Sequence, residues 1–507
     1  MDDRGPKADS VIEPGQETPP APEGERSLFF RIFPSIVLPM FIAVVDQTIV
    51  ATALPAMSAA FGEAERAAWI VIVYLVANTI AAPVYGRLGD AFGRARMMTF
   101  ALLLMMAGSV ACALAPNMAG LVVARFVQGL GGGGLMTLSQ ALIGETIPPR
   151  ARARYQGYLA AVIVTSSSFG PVAGGFLTGA FGWRSIFWIN LPLGLFALAL
   201  IRRLPKKPPA GIMKTFDSGG LFLFVCFIGP ALVAVEQARK LDAALAPLIL
   251  SLCVLALGAL VALIRRESRQ EDPLLPIALM RNPAIWRSDA MAACHGAALV
   301  SLINYTPLYL RAARGLSASE TGYFLLPMAL GVGVGSLITG RLVSRTGRTA
   351  IFPSLALIPA NILFCVLALF HARLPLAALP ALFGAIALCM GSVMGVVQVT
   401  VQNAAGPARL GSAAASVQFS RAVGATFGTA IVGSALFAVF TADADVGRDA
   451  FAALLEHGPA ALQALAPPAQ AGAQAALHAS FRAAFLAMNL FAMLALACAW
   501  SIPARRL

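Results

Sequence analysis

Charged side chains are scarce in this sequence of 507 residues. Asp, Glu, Lys and Arg make up 12% of it, against about 25% in an average soluble domain. A chain of this length cannot cover a soluble surface with half the usual charge. The composition therefore excludes soluble enzymes and soluble nucleic-acid-binding proteins, and the net charge of +13 needs another explanation than a nucleic-acid partner.

Motifs for metals, disulfides and nucleotides are missing as well. The seven cysteines lie in apolar runs and none forms a CxxC pair, so neither a disulfide framework nor a metal site is indicated. A GxGxxG spacing occurs at Gly129, Gly131 and Gly134. No strand precedes it and it lies in an apolar run, so close helix packing explains it better than a bound dinucleotide.

The sequence contains long apolar runs instead. Stretches such as Met98–Ala115 and Ala243–Ile264 reach the roughly 18 apolar residues that indicate a transmembrane helix. We predict an all-α polytopic membrane protein with fourteen transmembrane helices. The predicted spans are 33–57, 68–86, 98–116, 119–140, 155–178, 184–201, 217–236, 243–264, 288–310, 319–340, 351–371, 375–401, 411–440 and 481–502.

The basic residues alternate between successive loops. With a cytosolic N-terminus, the basic clusters at 87–96, 150–154 and 202–214 all face the cytosol, as the positive-inside rule requires. We therefore expect a multi-pass protein of the plasma (inner) membrane with both termini cytosolic. The polar residues 1–30 are typical of a disordered cytosolic tail.

Two features repeat at the same sequence separation, a short loop and a pair of glycines. The loop GRLGDAFGRAR begins at Gly86, and GRLVSRTGR begins at Gly340. The glycine pairs are Gly170 with Gly174 and Gly424 with Gly428. We predict two pseudo-symmetric six-helix halves with cargo bound between them near mid-membrane. The predicted units are an N-terminal half at 31–205, a two-helix insert at 206–268 and a C-terminal half at 269–507.

Five segments carry recognisable motifs. They are VVDQTIVATALP (Val44–Pro55), GRLGDAFGRAR (Gly86–Arg96), RFVQGLGGG (Arg125–Gly133), GPVAGG (Gly170–Gly175) and WRSIFWINLPLG (Trp183–Gly194). Together they resemble the major facilitator superfamily, in particular its fourteen-span drug:proton antiporter branch. The resemblance implies a multidrug efflux permease, not an enzyme, that exports lipophilic small molecules in exchange for protons. The pattern departs at Ala91, Ala95, Ser166 and Ser344.

Asp46 is the acid that lies deepest in a predicted span, where a charge costs about 2.5–3.5 kcal/mol. We predict that Asp46 carries the coupling proton and that Arg125, with Gln128 one turn later, is its partner; the resemblance supports this role. The proton gradient then supplies the driving force, and no cofactor is expected. The alternatives are a carboxylate paired permanently with an arginine, and an Arg125 that only anchors backbone.

Two further motifs have expected roles. In the loop after span 2, Gly86 and Gly93 allow tight turns and Asp90 can sit near the start of the third helix, where the helix dipole favours an anion. With Arg94, the resemblance makes this loop the cytosolic gate; the alternative is that its arginines only set topology.

In span 5, four small or ring-constrained residues form the second motif: Gly170, Pro171, Gly174 and Gly175. Small residues spaced four apart let helices approach closely. The resemblance identifies them as the antiporter motif and implies a tight seal at the interface between the halves. Ordinary packing of small residues is the alternative.

Polar side chains at lipid depth generally face the bundle interior. For His295 we favour a packed or pore-lining role over a second proton site. For Arg421, cavity lining and helix anchoring are both open. The candidate cavity residues are Gln47, Asn78, Gln128, Gln140, His295, Asn304, Tyr305, Tyr309, Gln398, Gln402, Gln418 and Arg421.

The expected partners are lipophilic small molecules, protons and membrane lipid, with no nucleic acid. A single deep carboxylate favours neutral or monovalent cargo, and a periplasmic adaptor protein is an open question. Two alternatives within transport are a dedicated exporter of one endogenous metabolite and an uptake symporter. A membrane-embedded enzyme or receptor is disfavoured, because the spans hold no cluster of His, Asp or Glu.

Overall fold

The computed structural model describes residues 23–63, 66–204, 217–238, 245–270, 274, 277–441 and 467–503. Within these residues the secondary structure consists almost entirely of seventeen α-helices. They are α1 (Glu23–Phe61), α2 (Ala67–Phe92), α3 (Arg94–Ala113), α4 (Met118–Thr146), α5 (Pro149–Phe181), α6 (Ser185–Trp188), α7 (Asn190–Ile201), α8 (Ser218–Ala238), α9 (Ala246–Glu267), α10 (Ile277–Met280), α11 (Pro283–Ala312), α12 (Ala318–Thr346), α13 (Ile351–Phe370), α14 (Leu379–Met390), α15 (Ser392–Ala405), α16 (Leu410–Thr441) and α17 (Pro467–Ser501).

An apolar chain of this kind forms helices because a helix satisfies its own backbone hydrogen bonds in lipid. Local signals set several helix ends. The side chain of Asn117 accepts from the Gly120 amide and caps α4, and Ser317 with Glu320 forms a capping box at the start of α12. Gly93, with φ 95°, is the single residue between α2 and α3.

Twelve of the described helical segments are long and apolar enough to cross a membrane. α14 and α15 together belong to one of them. Two predicted spans are not among the twelve: Ser185–Ile201 (α6 and α7) is shorter, and α11, although 30 residues long, carries polar side chains such as His295 and Asn304 in its middle. The protein is therefore all-α with about twelve to fourteen apolar helices, and the number fourteen stays a prediction.

The helices on each side of α8 and α9 have cores of their own. The largest buried apolar cluster draws its residues from 279–502 only, and two further clusters draw theirs from 32–204. We call α1–α7 the N-terminal group and α11–α17 the C-terminal group. The two groups meet where α5 packs against α12 and where α2 and α4 pack against α16.

α8 and α9 pack against each other beside the junction of the two groups. α8 also contacts α2 and α16, and the rings of Phe224 on α8 and Phe419 on α16 have centroids 5.4 Å apart. The division into halves at 31–205 and 269–507 with an insert at 206–268 remains a prediction. Of the predicted tail, residues 1–22 lie outside the described part of the chain, and α1 begins at Glu23.

Candidate functional site

Asp46, on α1, is enclosed by polar side chains from α4 and α7. Nη1 of Arg125 donates to Oδ2 of Asp46 at 2.7 Å. Nε2 of Gln128, one turn further along α4, and Nδ2 of Asn190, on α7, both donate to Oδ1 at 2.7 Å. The side chains of Asp46 and Arg125 are 0% and 1% exposed, so they form a fully buried ion pair.

A second layer of contacts orients the two amides. Oγ of Ser109, on α3, accepts from Gln128 Nε2 at 2.8 Å and from Asn190 Nδ2 at 3.2 Å. Nη1 of Arg125 also donates to Oε1 of Gln128 at 2.7 Å. We call Asp46, Ser109, Arg125, Gln128 and Asn190 the Asp46 cluster. Four helices of the N-terminal group thus converge on one carboxylate.

Arg125 is held on its other side by α2. Its guanidinium carbon lies 4.0 Å from the ring centroid of Tyr74, and its Nε donates to the carbonyl of Ile70 at 3.3 Å. Because an ionised carboxylate only accepts hydrogen bonds, a proton added to Asp46 would remove the charge that holds Arg125 and leave the donors around it short of acceptors.

Sequence reasoning singled out Asp46, Arg125 and Gln128, which the structure brings together. It missed Asn190 and Ser109. Asn190 lies in the quoted segment WRSIFWINLPLG, and its amide in an apolar run was the available signal. No such signal distinguishes Ser109, because a serine in a membrane helix commonly bonds only to its own backbone.

A cavity of about 380 Å³ lies between the N-terminal and C-terminal groups. α2 and α4 form one wall and α11 and α16 the other, while Leu232 and Val235 of α8 close a third side. The size falls in the range of small-molecule sites. The polar side chains that line it are Gln47, Asn78, Thr79, Thr137, Asn304, Gln418, Arg421, Thr426 and Thr429.

The predicted cavity residues divide into two sets. Gln47, Asn78, Asn304, Gln418 and Arg421 line the cavity. Gln128 belongs to the Asp46 cluster and does not line the cavity. The carboxylate of Asp46 is itself enclosed by its cluster and does not line the cavity in this conformation, although the next residue along α1 does.

The other candidates connect helices instead. Nε2 of His295 lies 2.9 Å from the carbonyl oxygen of Met390, and the hydroxyl of Tyr305 donates to the carbonyl of Thr429 at 2.9 Å. Tyr309 donates to the carbonyl of His371 at 2.8 Å. Gln402 donates to the carbonyl of Gln140 at 2.8 Å, and the side chain of Gln398 is buried, at 2% exposure.

The predicted gate residue Asp90 is attached to the C-terminal group. It accepts hydrogen bonds from the backbone amides of Gly411 at 2.8 Å and Ser412 at 2.9 Å, and from the Ser412 hydroxyl at 3.0 Å. Arg94 donates to Asp90 at 2.6 Å and to Glu145 at 2.9 Å. Free amides and the helix dipole make the start of α16 a suitable site for a carboxylate.

Asp90 was expected near the start of the third helix, but the helix start that it contacts is that of α16. Only Gly93 separates α2 from α3, so Asp90 stays in the last turn of α2 and its carboxylate faces α16. Gly86 permits this approach, because a Cβ there would lie 2.7 Å from the carbonyl oxygen of Gly411.

The glycines of span 5 face α1. A Cβ on Gly170 would lie 2.9 Å from Cβ of Thr48, and one on Gly174 would lie 2.5 Å from the carbonyl oxygen of Ile49. A Cβ on Gly175 would meet nothing within 4 Å, and α5 continues through the exposed Pro171. The close approach therefore lies inside the N-terminal group, and not at the interface between the halves as expected.

The repeated glycine pair makes an equivalent contact in the C-terminal group. A Cβ on Gly424 would lie 2.5 Å from Cα of Ala293, and one on Gly428 would lie 2.5 Å from Cα of Ala297, both on α11. The shared sequence separation thus corresponds to a shared helix–helix contact.

Residues 36–429 match the model of the Major Facilitator Superfamily. The chain belongs to this superfamily. It is therefore a multi-pass membrane transporter of small molecules, and not an enzyme. The match covers both helices of the predicted insert and most of the C-terminal group. It also covers all of the N-terminal group apart from the start of α1.

Relatives and solved structures agree with this assignment. The transporter is 30% identical over 417 residues to the multidrug transporter protein MdtP of Bacillus subtilis (strain 168), covering 82% of this chain and 76% of MdtP. It is 33% identical over 416 residues to the uncharacterized MFS-type transporter Rv1877 of Mycobacterium tuberculosis (strain ATCC 25618 / H37Rv), covering 81% of this chain and 59% of that longer protein. The structure of the proton:xylose symporter XylE superposes with a TM-score of 0.62 at 16% identity, covering 94% of this chain and 96% of XylE, and shows the shared fold.

Proposed function

We propose that this transporter exports lipophilic small molecules across the plasma membrane in exchange for protons, and that Asp46 is the proton site. The fully buried pair of Asp46 with Arg125 carries the proposal. Removing one charge from a buried ion pair leaves the other uncompensated, at a cost of about 3–5 kcal/mol. Protonation of Asp46 is therefore a local event large enough to change the packing of the N-terminal group.

The contacts between the two groups indicate which side is closed. Asp90 binds the start of α16, and Gln402 bonds to Gln140 between α15 and α4. The basic residues around Arg94 support a cytosolic location for these contacts, by the positive-inside rule. In the proposed cycle, a proton enters from outside and neutralises Asp46, Arg125 is released, and the cytosolic contacts open. The proton then leaves to the cytosol, cargo binds, and the transporter returns.

The rest of the architecture fits the same plan. With α6 and α7 as one span and α11 as another, the chain has fourteen spans with both termini cytosolic, arranged as six, two and six. Leu75, Met136, Leu232 and Phe419 give the cavity apolar surface that suits lipophilic cargo, and the relative MdtP is named a multidrug transporter. Protons, cargo and lipid suffice as partners, and a periplasmic adaptor would be an addition.

The driving force is adequate. One elementary charge that moves down 100 mV releases about 2.3 kcal/mol, which sustains roughly a fiftyfold uphill gradient of a neutral compound. Proton entry at a single site therefore suffices for measurable efflux.

Reconstitution in liposomes with an imposed pH gradient tests the proposal. A chemically diverse panel of lipophilic compounds is scanned for proton-driven movement. Asp46→Asn should lower the proton-driven rate by at least about a hundredfold, because it removes the proton site, while the variant still inserts and binds cargo. Asp217→Asn is the matched control. Asp217 pairs with Arg266 of α9 at 2.9 Å and accepts a hydrogen bond from the Gly220 amide at the start of α8, a capping role that Asn retains.

Normal pH-driven transport by Asp46→Asn would contradict the proton assignment and favour a permanently paired structural carboxylate. Transport of a single compound class from the whole panel would favour a dedicated exporter instead.

A further inference from the structure

The central cavity carries a single kind of charge. Of the side chains that line it in the described part of the chain, Arg421 on α16 alone is charged. No Asp or Glu lines the cavity there. The space between the two groups is therefore positive, although it lies in an apolar protein interior.

Arg421 has no counter-ion among the described residues. Its Nε donates to Oε1 of Gln418, one turn earlier, at 3.2 Å, and no carboxylate lies within ion-pair distance. Arginine stays protonated in any protein environment. An unpaired cation at this depth is costly, so a partner that arrives from outside the chain would be strongly favoured.

The acids of neighbouring helices do not fill this role. The carboxylate of Asp46 is already neutralised by Arg125. Asp289 is buried on α11, but Arg421 packs at the level of Gly296, seven residues further along that helix. At 1.5 Å per residue, Asp289 lies roughly 10 Å away along the helix axis.

The surroundings of Arg421 suit an anion attached to an apolar body. Neutral donors lie on other helices that reach the cavity, the amides of Gln47 on α1 and Asn304 on α11 among them, and the guanidinium plane can bind a carboxylate or sulfonate through two hydrogen bonds. The opposite wall includes Leu75 and Met136, and Phe419 lies beside Arg421 on α16; these three side chains offer only apolar contact.

We propose that the cargo of this transporter is a lipophilic monoanion whose acidic group binds to Arg421. This inference rests on the proposed export function and narrows its cargo class. An anion that leaves while a proton enters moves two charges in the direction favoured by an interior-negative potential. The membrane potential then contributes about fiftyfold per charge at 100 mV.

Three probes with one pyrene body test the charge preference. They carry a butanesulfonate, a butyl alcohol or a butyltrimethylammonium chain, so neither charge depends on pH. Binding to the purified protein in nanodiscs, followed by pyrene fluorescence, should be at least about tenfold tighter for the sulfonate than for the alcohol, and weakest for the cation.

Variants identify the residue responsible. Arg421→Gln should lower sulfonate affinity to that of the alcohol without changing alcohol affinity, and Arg421→Lys should retain part of the preference. Arg66→Gln, which removes one charge from a side chain that is 68% exposed, is the control for net charge and should behave as wild type. If Arg421→Gln does not fold, the three wild-type affinities still test the charge preference, and Arg421→Lys still tests the role of Arg421.

Equal or tighter binding of the cation by the wild type, or an unchanged sulfonate preference in Arg421→Gln, would overturn the inference. The same probes in proteoliposomes separate it from the proposed function. Export of the cation in preference to the sulfonate would contradict the anion proposal alone. A proton gradient that moves none of the probes despite preferential sulfonate binding would contradict proton-driven export and leave the cargo class standing.

Discussion

The N-terminal and C-terminal groups differ in whether an arginine inside the helix bundle has a counter-ion. In the N-terminal group, Asp46 and Arg125 neutralise each other inside a cluster in which both carboxylate oxygens of Asp46 accept hydrogen bonds. In the C-terminal group, Arg421 faces the cavity without a counter-ion among the described residues. We propose that this contrast reflects a division of roles, with proton exchange in the N-terminal group and recognition of cargo charge in the C-terminal group.

Removing each arginine in turn tests whether the two groups differ in this way. Arg125→Gln should lower the free energy of unfolding by about 3–5 kcal/mol, because Asp46 is left buried without its partner. Arg421→Gln should change it by less than about 1 kcal/mol or stabilise the protein, because an unpaired charge is removed. Denaturant titration in detergent measures both.

The double variant Asp46→Asn/Arg125→Gln is the control for the first substitution. It should recover at least half of the loss, because neither charge is then left alone. Similar losses for Arg125→Gln and Arg421→Gln would show that the two sites do not differ in kind.

A second test asks whether the groups share one helix–helix contact. Gly174→Val and Gly428→Val should each lower stability by about 1–3 kcal/mol through overpacking, since both glycines adjoin a neighbouring helix. Gly175→Val is the matched control, because a Cβ there meets nothing within 4 Å. Thermal unfolding compares the three, and an equal effect at Gly175 would mean that helix propensity rather than close approach is responsible.

Asp90 connects the two groups through its hydrogen bonds to the start of α16, and replacing it should weaken this contact. Asp90→Ala removes three hydrogen bonds from the start of α16 and should shift the equilibrium about tenfold toward the form open to the cytosol. Alkylation of Gln402→Cys, in a background with the seven native cysteines replaced, reports the opening. The same background with Asp217→Asn should show no change, and an unaltered rate in Asp90→Ala would exclude a gate role.

The smallest expected effect concerns pH at the end of α13, in the C-terminal group. Burial, together with the nearby His478 and Arg482, lowers the pKa of His371. As pH falls through about 6.5, the unfolded chain gains a proton that the folded protein does not, so stability should fall. Between pH 7.5 and 5, Tm should drop further for wild type than for His371→Gln; equal drops would assign the pH dependence to other groups.

The sequence was most informative where a residue is chemically out of place. Asp46 and Arg125 were identified because charges at lipid depth are rare, and the helix content followed from the apolar runs. Asn190 was harder to identify, because a neutral amide does not indicate which partner it meets. Gly411, the partner of Asp90, could not be inferred, since the two residues are 321 positions apart.

Contacts between apolar helices were the least predictable part. The spacing of Gly170 and Gly174 indicates that one helix face allows close approach, but not that α1 is the neighbour. Leu232 and Val235 carry no mark that separates a cavity wall from a lipid-facing surface. The start of the last helix was also displaced: α17 begins at Pro467 rather than near 481, because alanine-rich sequence favours helix beyond the hydrocarbon region.

The place of Leu232 and Val235 in the cavity wall has an evolutionary consequence. The α8–α9 hairpin packs largely on itself and reaches the rest of the molecule through α2 and α16. Its residues can therefore diverge without disturbing either of the large cores. Substitutions in these two helices can therefore reshape the chamber for a different cargo while the Asp46 cluster is inherited intact.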